Sequence, residues 1–218
     1  IHDDIWPVTV NRWHKEGLPE DMTPADYFDY EFAIFNSDLS PRFPVRRLEQ
    51  NEEFIVFTTQ FGGERKHHRD YSTTPEIIDW SIKTKEDWKE IKKKLKPDMT
   101  RVNWASGLQE NQTAYEEGKF LCFSCISGYD VLQNYMKSEQ ILISMAEDPT
   151  WVREMLMTIS ELIVITADLM LKNGFKFDAL FNHNDIGHKN GLLFSPEVYK
   201  KLIMMLIFFF MNIFILKG

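Results

Sequence analysis

Phe177-Asp178-Ala179-Leu180-Phe181-Asn182-His183-Asn184-Asp185-Ile186-Gly187-His188-Lys189-Asn190-Gly191, followed by Ser195-Pro196-Glu197, decides how this chain is to be folded. A short apolar run gives way to polar and acidic residues, then to glycines, then to a Ser-Pro helix start. This pattern predicts a strand that delivers functional groups into a loop ahead of a new helix. In a barrel of parallel strands, such strand ends are where chemistry sits. Side chains alternate along a strand, so Ala179, Phe181, His183 and Asp185 share one face, and Leu180, Asn182 and Asn184 the other. His183 and Asp185 can then reach one ligand together, as a pair suited to proton transfer, a metal or a polar substrate, and Asn182 is a further candidate for substrate binding. A hydrogen-bonded strand end without chemistry is the alternative.

The 218 residues are enough for a substantial core, and 44% apolar with 27% charged residues is the balance of a globular protein. A net charge of -8 gives no basic footprint for nucleic acid. The two cysteines form no disulfide framework and no leading signal is visible, so a cytoplasmic location is expected. Cys122 and Cys125 lie three apart in an apolar strand, hence on opposite faces, and no second cysteine pair completes a metal site; they read as core residues.

Outward from the deciding stretch, residues 5–10 read as a first strand, with Arg12, Trp13, His14 and Glu16 just beyond it, where Arg12 and His14 would line a barrel mouth. Thr23-Pro24-Ala25-Asp26 starts a helix, into which Tyr27, Phe28, Tyr30 and Phe32 are packed. The residues around Pro41 and Pro44 read as loop. Phe54-Ile55-Val56-Phe57, a Gly62-Gly63 turn and a polar strand from Arg65 to Tyr71 predict a hairpin. Thr74-Pro75 opens a brief turn or helix with Ile77 and Ile78. Thr84 and Asp87 form a capping box for a helix whose buried stripe is Trp88, Ile91 and Leu95. Residues 103–117 are expected to be helical, 120–127 a strand covered on both faces, and 131–146 a helix. Asp148-Pro149 then caps the longest helix, which Lys172-Asn173-Gly174 ends.

Trp6-Pro7-Val8, Trp13 through Gly17-Leu18-Pro19, Glu86-Asp87-Trp88-Lys89-Glu90-Ile91, Met145-Ala146-Glu147-Asp148-Pro149 and Asn184-Asp185-Ile186-Gly187-His188-Lys189-Asn190-Gly191 with Ser195-Pro196 together resemble the uroporphyrinogen decarboxylase family, which includes corrinoid-dependent methyltransferases. The resemblance implies a (β/α)8 TIM-barrel fold with its cleft at the strand C-termini, incomplete in this chain, with residues 1–203 as the N-terminal part of the barrel. It implies decarboxylation or methyl transfer on a small polar or tetrapyrrole-related substrate. In the intact family member it also implies zinc and a corrinoid, with a corrinoid protein as partner and a homodimer as a further option. The sequence departs from the family in two places. The decarboxylases carry an arginine-rich stretch after the first strand, where this chain has Asn11-Arg12-Trp13-His14-Lys15-Glu16, and one arginine does not rebuild a forked carboxylate clamp. The methyltransferase branch holds its zinc on a His-x-Cys pair and a later cysteine that are absent here.

Residues 202–216 are apolar on every helical face except at Asn212. The run is shorter than the ~20 residues that span a bilayer. Residues 204–218 therefore read as an aberrant tail, from a shifted frame or a truncated gene. The alternatives are an inactive product or a tail-anchored binding protein, with Lys200, Lys201 and Lys217 flanking the run.

Overall fold

The computed structural model describes residues 5–69 and 74–214, with side chains through Phe210. The first element is not the expected strand. Trp6, in extended geometry, precedes Pro7 at the first helical position, and residues Pro7–Glu16 form helix α1, closed by Gly17 at φ 122°. Proline at N1 and a glycine able to take positive φ outweigh the β-preference of Val8, Thr9 and Val10. The predicted helix start at Thr23 is present, with Thr23 and Asp26 capping each other, but α2 is only Pro24–Tyr27. The aromatic run after it enters strand β1, Phe32–Phe35.

Strands β2 (Arg47–Gln50), β3 (Phe54–Thr58), β4 (Glu64–His68) and β5 (Glu76–Asp79) make an antiparallel sheet in that order. The expected hairpin is its β3–β4 pair, although the Asp70 and Tyr71 end of that expectation lies outside the described residues. Ile77 and Ile78 belong to β5 rather than to a turn or helix. Helix α3 (Lys85–Lys92) carries the capping box of Thr84 and Asp87, and α4 runs from Trp104 to Glu116. Strand β6 (Phe120–Ile126) follows. The single helix expected over 131–146 is two, α5 (Gly128–Gln133) and α6 (Ser138–Glu147), with Tyr135 and Met136 fully buried at the bend. Helix α7 (Pro149–Lys172) is capped by the Asp148 side chain. Beyond it come β7 (Ala179–His183), the small hairpin β8 (Gly187–His188) and β9 (Gly191–Leu192), α8 (Pro196–Val198), a π-helical turn over Tyr199–Ile203, and α9 (Met204–Phe214).

The (β/α)8 barrel expectation is overturned. Such a barrel needs eight parallel strands closed on themselves. Here β1, β6 and β7 form a three-stranded parallel sheet in the order β1-β6-β7, and the largest sheet is the antiparallel one, so the fold is mixed α/β without closure.

One face of the parallel sheet is covered. Phe123 and Cys125 of β6 lie in a core with Met155, Ile159, Leu162 and Ile163 of α7, each fully buried aliphatic side chain contributing about 1.5–3 kcal/mol. The apolar end of the chain joins this core: Leu202, Ile203, Leu206 and Phe210 are all buried. Among the described residues no helix is long and apolar enough to cross a membrane. Lys217 lies outside the described residues.

Candidate functional site

Strands β6 and β7 run parallel with Ile126 opposite His183, so both deliver residues to the same C-terminal edge. Beyond β6 the chain turns at Gly128, φ 62°, directly into α5. A Cβ on Gly128 would come within 2.6 Å of the Asn184 amide, so only glycine lets this turn pass the loop after β7. The turn sets Asp130 on the first turn of α5, against that loop.

Asp130 organises the edge. Its Oδ2 lies 3.0 Å from His183 Nδ1 and accepts the Asp185 backbone N–H at 2.6 Å, and its Oδ1 accepts from Gln133 Nε2 at 3.0 Å. Its own backbone N–H donates to Asn184 Oδ1 at 3.4 Å. The Asp130 side chain is 10% exposed and that of His183 63%, so a nearly buried carboxylate holds an accessible ring. Nδ1 faces the Asp130 carboxylate, and Nε2 is without a protein partner among the described residues. A carboxylate beside an accessible imidazole is a pairing suited to a histidine that moves protons.

The sequence-predicted residues separate into two groups. His183 stands at the strand end as expected. Asp185 lies past it, and its carboxylate accepts the Gly187 backbone N–H at 3.1 Å, so it shapes the turn while Asp130 pairs with the ring. Asn182 lies opposite Cys125, with Oδ1 3.7 Å from Sγ. Arg12 and His14 are not brought to this edge. Both are on α1, Arg12 paired with Glu16 at 3.4 Å and His14 Nδ1 within 3.1 Å of the Leu18 carbonyl. An acid in the first helical turn after an apolar strand and a glycine, Gly128-Tyr129-Asp130, was the available sign of the missed residue.

Beside the dyad, a cavity of about 770 Å³ opens at the C-terminal ends of β1 and β6, in the size range of small-molecule sites. Ile126, the register partner of His183, is part of its wall, as are Val131 of α5 and Asn134 just after it. The opposite wall is the loop after β1. Burial alone would raise the Asp38 carboxyl, but the Ser40 hydroxyl and amide and the Arg42 guanidinium outweigh it and hold it below the usual carboxylate range. Arg101, itself buried, donates to the carbonyls of Asp38, Ser40, Lys94 and Lys96 and pins this loop to the end of α3. The β3–β4 turn covers the cavity, and a Cβ at Gly62, φ 85°, would meet the Phe43 ring at 2.9 Å.

Zinc, implied by the family resemblance, finds no ligand set here. Cys122 and Cys125 are both buried, and burial raises the Cys122 thiol and pushes that of Cys125 up to about 12, away from the thiolate a metal binds. Among the described residues no group of three or more His, Cys, Asp or Glu is placed to hold a metal ion.

Comparisons with protein-family models, curated proteins and solved structures each returned no match.

Proposed function

We propose that this chain binds a small polar molecule at the C-terminal edge of its parallel sheet and that His183, held by Asp130, moves a proton to or from it. The observation that carries this reading is the 3.0 Å contact between Asp130 Oδ2 and His183 Nδ1, which leaves Nε2 without a protein partner among the described residues, on the strand end whose register partner Ile126 lines the cavity. A neutral ring so placed accepts a proton at Nε2. Returning the proton regenerates the starting state. Both reactions offered by the resemblance to the uroporphyrinogen decarboxylase family need such a group. Loss of CO2 leaves an electron pair on carbon that must take up a proton, and methyl transfer requires the accepting atom to lose one.

The test is proton exchange in D2O. Wild-type protein and His183→Gln are incubated with a panel of small carboxylic acids, hydroxy-carbonyl compounds and sugars, and deuterium entering carbon is read by NMR. A wild-type reaction that falls about 10²–10⁴-fold in the variant is expected. Equal incorporation by the two proteins refutes the role of His183.

A further inference from the structure

The cavity beside the dyad has a wall chemistry that selects among small polar ligands. Its charged lining residues are Asp38 and Arg42, and they neutralise each other: Arg42 Nε donates to Asp38 Oδ2 at 2.7 Å. Arg42 Nη1 is further engaged by Asp98 at 3.3 Å and by Thr100 at 2.8 Å. A carboxylate or phosphate entering the cavity would therefore meet no uncommitted cation on its wall, and would lose its hydration without the forked partner that anion sites supply.

The remaining polar wall is made of neutral groups that both donate and accept. Asn36 follows β1, Gln60 sits in the β3–β4 turn, Ser124 is in β6 and Asn134 caps the end of α5, so they approach from four segments. Asn134 is oriented. Its Oδ1 accepts from Arg65 Nη2 at 2.8 Å and its Nδ2 donates to the Val131 carbonyl at 3.4 Å, which fixes Nδ2 as the donor end, with one N–H left for a ligand. Ser37 also lines the cavity, and its Oγ is buried without a hydrogen-bond partner among the described residues. Apolar contact comes from Phe43 and Phe61, the latter held edge-on to the buried Tyr135 ring at 5.2 Å.

Taken together, these features lead us to propose that the cavity takes a neutral polyhydroxylated ligand, a monosaccharide or a polyol of similar size. Hydroxyls around the rim of such a molecule donate and accept in every direction, matching amides and hydroxyls that surround it, while its C–H faces meet the phenyl rings. The inference rests on the reading of the dyad only in taking this ligand to be the substrate, whose C–H or O–H would then meet His183.

The test is saturation-transfer NMR and calorimetry on the full chain with D-glucose, D-xylose and myo-inositol, against D-glucuronate and D-gluconate as charged counterparts. Saturable binding of at least one neutral probe, tighter than its charged counterpart and weakened about tenfold in Asn36→Ala/Gln60→Ala, is expected. Both positions are solvent-exposed, so the variant keeps its fold, as circular dichroism will verify. Binding of the charged probes alone, no saturable binding by any neutral probe, or unchanged affinity in the double variant overturns the proposal. Neutral binding without His183-dependent deuterium incorporation retains the ligand class and removes the proton-transfer reading.

Discussion

Replacing Asp130 with asparagine changes almost nothing in shape and removes the charge on which the site edge depends. The carboxylate accepts two hydrogen bonds, from the Asp185 backbone N–H and Gln133 Nε2, and lies 3.0 Å from His183 Nδ1, while its side chain is 10% exposed. An amide keeps its oxygen toward one donor and turns an N–H toward the other. Hydrogen bonds to an ionised partner contribute about 1.5–3 kcal/mol and neutral ones about 1, so weakening one and opposing the other costs roughly 2–3 kcal/mol. For a chain of this size that corresponds to a fall in Tm of about 4–12 °C. The ring responds as well. Wild-type His183 in its neutral form is expected to favour the Nδ1–H tautomer that faces the carboxylate, and Asp130→Asn to lose that preference. Long-range 1H–15N correlation spectra of the histidine rings distinguish the two tautomers, and urea unfolding followed by fluorescence gives the stability. Wild-type spectra showing Nε2–H, or Asp130→Asn retaining both the tautomer and the stability, would refute the account of the dyad.

Arg101→Met should destabilise the fold by about 3–5 kcal/mol in urea titrations, because it leaves the carbonyls of Asp38, Ser40, Lys94 and Lys96 without their donor in a buried place. Asp38, held below the usual carboxylate range, contributes stability that is complete above the unfolded value near 3.9 and is lost as pH falls through the lower folded one. Acid unfolding of Asp38→Asn should accordingly be flatter than wild type below about pH 4, and parallel curves would remove Asp38 from the acid transition. Leu206→Ala should cost about 2–5 kcal/mol, read by thermal melts, since that side chain is buried in the main core; a neutral effect would separate α9 from the fold.

Much of the fold was legible where local chemistry and tertiary demand agree. Strands β6 and β7, helix α7 with its Asp148 cap, the Thr84–Asp87 capping box of α3 and the glycine hairpin all stand where the sequence puts them. The errors arose where β-rich residues sit in a helix or aromatic residues in a strand. Val8-Thr9-Val10 reads as strand but follows a proline at N1, while Phe32, expected as helix packing, begins the strand Phe32–Phe35 at the edge of the parallel sheet. Displacing the first strand by more than twenty residues also displaced Arg12 and His14 from the predicted mouth. The barrel expectation failed because pattern identifies strands but not their partners: β2 to β5 pair only with one another, antiparallel. At the site, His183 was visible as a polar residue ending an apolar strand. Asp130 was not, because it becomes a partner only through the Gly128 turn, which brings it across to Asn184 and Asp185.

The single oxygen that Asp130 shares between ring and loop couples two things that are usually separate. Oδ2 faces His183 Nδ1 and also accepts the Asp185 amide, so one nearly buried carboxylate positions the ring and holds the backbone of the loop after β7. Loss of that charge should therefore be felt in the main chain as well as at the ring, as faster hydrogen exchange of the Asp185 amide in Asp130→Asn.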